Sequence, residues 1–282
     1  LTLGTLGMIE EQLVQQEAGY EAVLAWCDRL EAVGLSGDLA AGVLGNRLNA
    51  LLELGRHADV MALLEGPVWA LPDAAAEALC NRVVQAAIGQ RRLEEAQAAI
   101  DLVARQGAAR PGMPRLAAGL RIDLALAREQ RTEALDLLIR DAALFEDGRI
   151  AARLDRITRP ALAAGQLDEA DRLAERALEA LADWPAARAR AAALWLMRAR
   201  ESADLAMGLD RLRKLESLEL PPAVLVNGVG ALSGLTLAPA TPADAVAAML
   251  AFVAALKPRV TEERDRALLA GVQLDAGFRA SD

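Results

Sequence analysis

The chain repeats one pattern of apolar and polar positions along most of its 282 residues. In the stretch AAGQLDEADRLAERALEALADWP, residues 163–185, apolar residues recur at intervals of three and four, with charged residues between them. This spacing predicts an amphipathic helix with one buried face. Gly165 predicts the turn before that helix. Asp183 and Pro185 predict the cap and the first-turn proline of the next helix.

The same turn-then-helix pattern returns at a nearly constant interval. The small or aliphatic residues at the equivalent position, called anchors below, are Val23, Val60, Ala96, Ala134, Ala170, Ala206 and, in a weaker copy, Ala245. Successive anchors lie 36 to 39 residues apart, and each is followed three positions later by an apolar residue. Apolar pairs nine and twelve residues before the anchors, such as Leu194 and Met197, predict a preceding helix that faces the anchor helix of the same unit.

These repeats predict an all-α protein that forms an α-α superhelix, or solenoid, of seven antiparallel helical hairpins. The predicted units are 4–37, 38–72, 73–110, 111–147, 148–183, 184–220 and 221–258, followed by a cap at 259–282. The cap contains a helix from about Thr261 to Gly277, with Thr261 as its N-cap. One hairpin cannot bury its own apolar face, whereas stacked neighbours can. We therefore predict a single domain, 1–282, held together by contacts between adjacent units.

The segments GQLDEADRLAERALEALADWP and RRLEEAQAAIDLV resemble the second half of tetratricopeptide-like repeats. The resemblance covers nearly the whole chain, at a period near 36 instead of the usual 34. Of the residues at the turn aromatic of that family, only Tyr20 is aromatic here. The resemblance implies that first helices line an inner groove and second helices form the outer wall. It also implies that the groove holds a peptide or a helix of a partner protein.

If this arrangement holds, the residues eleven positions before the anchors point into the groove. They are Gln12, Asn49, Gln85, Asp123, Arg159, Trp195 and Gly234. From these and neighbouring positions, the predicted partner-binding residues are Asn49, Asn81, Arg82, Gln85, Asp123, Arg156, Arg159, Arg188, Trp195 and Arg198. Amide side chains can both donate to and accept from a peptide backbone, and Trp195 is either an aromatic anchor or a core residue. The alternative is that this column is only the solvated side of the helices.

Composition agrees with a helical protein and restricts the partner. Apolar residues make up 54% of the chain and aromatic residues 3%, so Ala and Leu, both strong helix formers, carry the core. The net charge of −9 argues against nucleic-acid binding through phosphate neutralisation. Arg far outnumbers Lys, which is typical of a GC-rich bacterial genome. We predict an acidic or C-terminal peptide as the partner, with Arg82, Arg156, Arg159 and Arg188 as counter-charges.

Two segments raise other interpretations. Residues 223–235, AVLVNGVGALSGL, contain a G-x-G-x-x-x-G pattern, but no strand-helix-strand pattern surrounds it, so we predict a helix whose glycines allow close packing. Residues 221–256 carry one charge, Asp244, and prolines cut them into pieces too short to span a membrane. They form either a buried hairpin or an apolar surface for a partner or for self-association. Pro160 lies inside a predicted first helix, where it either kinks the groove or is tolerated.

Few residues suit catalysis or metal binding. His57 is the only histidine, and Cys27 and Cys80 lie in helical patterns as buried apolar residues, so we predict no metal, no cofactor and no disulfide. We expect a non-catalytic scaffold or adaptor. The alternatives are a regulatory or sensor domain of a larger signalling protein and an all-α enzyme, whose site would need aromatic walls or paired carboxylates. We expect a cytoplasmic location and leave the periplasm open, because the chain starts at Leu1 and an N-terminal segment could have been removed.

Overall fold

The computed structural model describes residues 19–280, together with positions 4, 8, 9, 11 and 12. In this part of the chain it contains helices and no strands, which confirms the predicted all-α class. The helices are α1 (Gly19–Glu31), α2 (Gly37–Glu53), α3 (His57–Glu65), α4 (Asp73–Gly89), α5 (Leu93–Gln106), α6 (Met113–Ala127), α7 (Arg131–Arg140), α8 (Asp147–Ala163), α9 (Leu167–Ala180), α10 (Pro185–Glu201), α11 (Leu205–Ser217), α12 (Pro222–Leu237), α13 (Ala243–Leu256) and α14 (Glu263–Ala280). Short 3-10 helices lie at Pro67–Ala70, Ala142–Leu144 and Lys257–Arg259.

The chain divides into two compact units, residues 1–137 and 138–282, and α7 runs across the division. In the first unit, α2 and α3, then α4 and α5, form consecutive helix pairs, and the first helices contact one another, α2 on α4 and α4 on α6. In the second unit the pairs are α8 with α9, α10 with α11 and α12 with α13. Here too each first helix contacts the next, α8 on α10 and α10 on α12. Helix α14 packs on both α12 and α13.

A three-residue turn with one left-handed residue joins the two helices of each pair from α2/α3 to α10/α11. The left-handed residues are Gly55, Arg91, Glu129, Gly165 and Ala203, with φ of 66°, 60°, 63°, 69° and 52°. The amide of the next residue donates to a carbonyl five positions back, as from Gln166 to Ala161 at 2.8 Å and from Asp204 to Ala199 at 2.9 Å. This bond is typical of a helix that ends in a left-handed residue. The repeat is therefore a repeat of backbone geometry as well as of apolar positions.

The turn also fixes which residue is the anchor, and it corrects the sixth unit. In four units the amide of the anchor donates to the carbonyl of the last turn residue, as from Ala170 to Gln166 at 3.1 Å. In the sixth unit the amide that makes this bond is that of Gly208, which donates to the carbonyl of Asp204 at 3.1 Å. Gly208 is buried, whereas the predicted anchor Ala206 is exposed. The sixth unit was therefore aligned two residues too early. The pair that faces its second helix is Leu196 and Ala199, not Leu194 and Met197, because only this alignment matches the other units.

The glycine-containing segment 223–235 lies in α12, as the packing interpretation predicted. A Cβ at Gly228 would lie 2.7 Å from Leu196 Cδ1 on α10 and 2.7 Å from Leu212 Cδ2 on α11. A Cβ at Gly208 would lie 2.6 Å from Leu232 Cδ1 on α12. These two glycines thus let neighbouring helices approach where any larger residue would push them apart. Gly234, by contrast, has no atom within 4 Å of the position of its missing Cβ.

Two predicted helix starts, at Asp183 and Thr261, are wrong in detail. Asp183 does not cap α10; instead Asp147, at the start of α8, accepts from the amides of Ala186 and Ala187 at 2.8 and 2.9 Å. Thr241 donates its hydroxyl to the carbonyl of Leu235 at 2.7 Å, so it closes the end of α12. The last helix begins at Glu263, two residues after the predicted cap. Pro160 lies inside α8, as predicted.

Ion pairs between residues that lie about one repeat apart in the sequence link neighbouring helix pairs. Arg211 on α11 makes two bonds to Asp171 on α9, at 2.5 and 2.8 Å, and Lys214 pairs with Glu175 at 2.8 Å. In the first unit, Arg110 pairs with Asp73 at 2.7 Å. The Lys214–Glu175 pair is exposed, and such a pair contributes about 0–1 kcal/mol, so apolar burial carries most of the stability. No helix in the described part of the chain is long and apolar enough to cross a membrane.

Replacing Ala203 by Gly should raise the free energy of unfolding by about 1 kcal/mol, because a left-handed conformation strains any residue that has a Cβ. Gly165→Ala, at the equivalent position of the preceding pair, should lower it by a similar amount. Both residues are exposed, so no packing change accompanies either substitution. Urea unfolding monitored by circular dichroism measures both. Two changes of the same sign would contradict the shared turn geometry.

Gly228→Ala should destabilise the protein by about 1 kcal/mol, since the cost of overpacking against two buried leucines exceeds the gain in helix propensity. Gly234→Ala, on the same helix, should stabilise it by about 1 kcal/mol, because its Cβ would meet no neighbour. Thermal unfolding of the two variants beside the parent protein tests the pair. Equal stabilisation by both substitutions would show that α12 does not approach α10 and α11 closely at Gly228.

Candidate functional site on the first helices

In the first unit the predicted polar column bridges adjacent first helices. Arg82 on α4 donates from Nη1 to Oδ1 of Asn49 on α2 at 2.9 Å. Gln85 on α4 donates from Nε2 to Oδ2 of Asp123 on α6 at 2.8 Å. Asn81 is exposed on α4. A partner on this face would meet side chains that are already bonded across the helices, so these bonds order the surface and also compete with a ligand.

In the second unit the first helices α8 and α10 enclose an open depression of about 580 Å³. It is lined by Asp155, Arg159, Leu162, Ala163, Gly165, Leu167, Arg190, Leu194, Met197 and Glu201. The helix pairing accounts for its position. Leu162 and Arg159 lie on the side of α8 next to α10, and Gly165 and Leu167 come from the turn that follows α8. One side of the depression is therefore a helix face and one end is a turn.

The depression combines an apolar lining with charged groups at its edge. Leu162, Leu167, Leu194 and Met197 supply the apolar part. Arg190 Nε donates to Asp155 Oδ1 at 2.5 Å, so these two charges largely cancel. Arg159 and Glu201 are both exposed, and neither makes a hydrogen bond or an ion pair with the residues that the structure describes. Two opposite charges thus remain available to a ligand, one on each helix.

Met197, and not Trp195, occupies the column position in the sixth unit. Arg159 lies six residues before the left-handed Gly165, and Met197 lies six residues before the left-handed Ala203. Both residues line the depression. Met197 was missed as a site residue because the sixth anchor was placed two residues early. An anchor at Gly208 would have located Met197 from the sequence, because it gives the sixth unit the same number of residues between turn and anchor as the other units.

Trp195 is not available as an exposed aromatic anchor. It is 5% exposed, and Arg211 and Lys214 of α11 lie over its ring at 4.8 and 5.1 Å from the centroid. Arg211 also donates to the backbone carbonyl of Trp195. The ring therefore packs toward the second helix of its own pair. Its Nε1 is buried and has no acceptor among the described residues.

The other predicted arginines differ in how accessible they are. Arg156 is exposed on α8. Arg198 pairs with Asp168 at the start of α9, at 2.9 Å, which links neighbouring pairs. Arg188 is half-buried, and its Nε is buried without an acceptor in the described residues. Of the four proposed counter-charges, Arg159 is the one that lies at the depression.

Helices α8 and α10 form a basic region in an acidic protein. Their sequences contain eight arginines against Asp147, Asp155 and Glu201, a formal charge of +5, whereas the whole chain carries −9. Several of these arginines have local partners; for example, Arg153 lies over the ring of Phe145 at 4.7 Å. The excess of positive charge is nevertheless concentrated on the two helices that enclose the depression. This favours an anionic group on whatever binds there.

The thiols and the histidine belong to the first unit and do not line this depression. Cys27 is buried and its Sγ lies 3.6 Å from the carbonyl of Val43, and burial raises the pKa of the Cys80 thiol to about 12. A thiol in such surroundings stays protonated and is a poor nucleophile. His57 is half-buried in the first unit, where it lines a small cavity together with Arg92 and Glu95. The described residues contain no group of three or more His, Cys, Asp or Glu side chains that could hold a metal ion.

Comparisons of the chain with protein-family models, with curated proteins and with solved structures find no match.

The buried Cys80 makes stability depend on pH in the alkaline range. In the unfolded chain the thiol ionises near its ordinary pKa of 9.0, and in the folded chain near 12. Between these two pKa values the thiol is ionised in the unfolded chain but not in the folded chain. The free energy of unfolding therefore falls by about 1.4 kcal/mol for each unit that the pH rises. Cys80→Ala should remove this contribution. Urea unfolding at pH 8 and pH 10 should show a smaller loss for the variant than for the parent protein, and equal losses would place the thiol in contact with water.

Proposed function

We propose that this protein is a non-catalytic scaffold that binds a segment of a partner protein along the exposed faces of its first helices. In this proposal the helix pairs form a tetratricopeptide-like solenoid, and the first helices line its groove. The segment is an extended peptide or a helix, and it carries acidic residues. The depression between α8 and α10 is its principal contact, and the polar column of the first unit is a further surface.

The observation that carries the proposal is the depression with its uncompensated charges. Leu162, Leu167 and Met197 are half-buried there, beside the exposed Arg159 and Glu201, which have no partner among the described residues. In stacked helix pairs, stability comes from contacts between neighbouring pairs. The solvent-facing side of each first helix is therefore free to vary in sequence and can form a binding surface. A mostly apolar concavity with a few polar groups at its edge is the usual form of a binding site.

The partner class follows from the charge of the two helices. An acidic segment would find a formal charge of +5 on α8 and α10. Arginine binds carboxylates with two parallel hydrogen bonds, and Arg159 has no competing partner in the described part of the structure. The polar column supports backbone contacts, since Asn and Gln side chains can both donate and accept. A segment of a protein supplies both the backbone groups and the apolar side chains that such a surface can bind, so it is a better ligand than a nucleic acid.

Selection from a random 12-residue peptide library against the immobilised protein tests the proposal. We expect the library to yield acidic peptides, and Arg159→Glu to weaken their affinity about tenfold or more, because it removes an attraction and adds a repulsion. Affinity is measured by fluorescence anisotropy with the selected peptides. The variant places a charge on an exposed site, so folding should be unaffected.

The matched control is Arg172→Glu, an exposed arginine on the second helix α9, which should leave affinity within about twofold. Equal effects of the two variants would attribute binding to net charge and would refute a site on the first helices. A library that yields no binding peptide would refute the scaffold function itself.

A further inference from the structure

We infer that the depression between α8 and α10 takes one aliphatic side chain of the partner, and that the residues on its two sides differ in charge. On the α8 side the partner carries an acidic residue; on the side toward α12 it carries small, uncharged residues. This inference rests on the proposed function and specifies the ligand of the same site. It concerns an internal segment of the partner and requires no terminal carboxylate.

The aliphatic preference comes from the lining. Leu162, Leu167, Leu194 and Met197 are all aliphatic, and the depression contains no aromatic ring. Burying an aliphatic side chain against such a surface is favourable in proportion to the apolar area removed from water. Met197 adds adaptability, because an unbranched thioether side chain can adjust to the shape of what it contacts. Asp155 and Arg190 pair with each other, so neither requires a counter-charge from a ligand.

The acidic flank comes from the position of the unpaired charges. Arg159 is on α8, and Glu201 is the last residue of α10. A carboxylate near Arg159 gains an attraction, whereas the same carboxylate near Glu201 meets a like charge. An acidic residue is therefore favoured on only one side of the aliphatic residue. The two charges together give the bound segment a direction across the helices.

The uncharged flank comes from the next first helix. A notch of about 100 Å³ is lined in part by Ala189 and Ala193 on α10 and by Asn227 and Ala231 on α12. No charged residue lines it. A charged side chain of the partner would lose hydration there without gaining a counter-charge. Small uncharged residues fit this surface at the least cost.

The test uses amidated, fluorescein-labelled 12-residue peptides with a central Leu, two Glu on one side and Ala and Ser on the other, made in both chain directions. Two companions of each replace the Leu by Ala or both Glu by Lys. We expect the Leu–Glu peptide to bind in at least one direction. The Ala companion should bind about tenfold more weakly, as the loss of a buried aliphatic side chain requires, and the Lys companion should be weaker still. Equal affinity of the Leu and Ala peptides would overturn the inference.

Protein variants locate the contact. Ala163→Trp fills the depression from an exposed position at the end of α8 and should abolish binding, whereas Ala98→Trp, at an exposed position on α5, should not. Arg159→Glu should reverse the preference, so that the Lys companion binds better than the Leu–Glu peptide. In the parent protein labelled at the methionine methyl groups, the Met197 resonance, assigned with Met197→Leu, should shift on titration. Binding that survives Ala163→Trp, or that leaves Met197 unshifted, would refute the inference.

These results separate the two proposals. Suppose that peptides selected from the random library lose affinity with Arg159→Glu, but not with Ala163→Trp or with the Leu–Ala exchange. That result would support the scaffold function and refute the aliphatic pocket. Circular dichroism of Ala163→Trp checks that the variant is folded. The Leu–Ala comparison uses the unmodified protein, so it decides the question even if a variant does not fold.

Discussion

The helix pairs of this chain can bury their apolar faces only against one another, and this constraint governs the rest of the structure. In the second unit α8 packs on α10 and α10 packs on α12, and the side chains between them are mostly Ala and Leu. Small residues at the anchors, Gly208 among them, permit the close approach that the stacking needs. Because each first helix is stabilised by the faces that contact its neighbours, its solvent-facing side is not required for folding. That face can be polar on one helix, basic on the next and nearly uncharged on a third.

The helices themselves could be predicted from the sequence because their signals are local. Apolar residues at intervals of three and four, with turn residues between the runs, define each helix to within a few positions. The helix starts were harder, because the polar side chains at these positions bond outside the helix that follows them. Asp147 accepts bonds from amides 39 and 40 residues later, and Thr241 bonds to the helix before it instead of the helix after it. No pattern within a single helix carries that information.

The positions of the candidate site residues were predicted in part, for a related reason. The column residues of the first unit and Arg159 were placed on the first helices correctly, since the spacing there is regular. The sixth unit was misaligned because its anchor is a glycine, which a search for small apolar side chains passes over. A shift of two residues exchanges Met197 for Trp195, and on a helix two residues correspond to more than half a turn. That shift is enough to replace a residue of the open depression by one packed beneath Arg211.

The charge distribution limits how such a site can select a partner. The chain carries −9 overall, so at low ionic strength an acidic segment is repelled before it reaches the +5 of α8 and α10. Near physiological salt, charges are screened beyond about 8 Å, and the segment then senses only the nearest groups. In the proposed complex, discrimination must therefore come from short-range contacts, in which Arg159 and the aliphatic lining would act together on adjacent residues. A ligand that satisfies one of them without the other gains little, because neither a single exposed ion pair nor one partly buried side chain outweighs the entropy lost on binding.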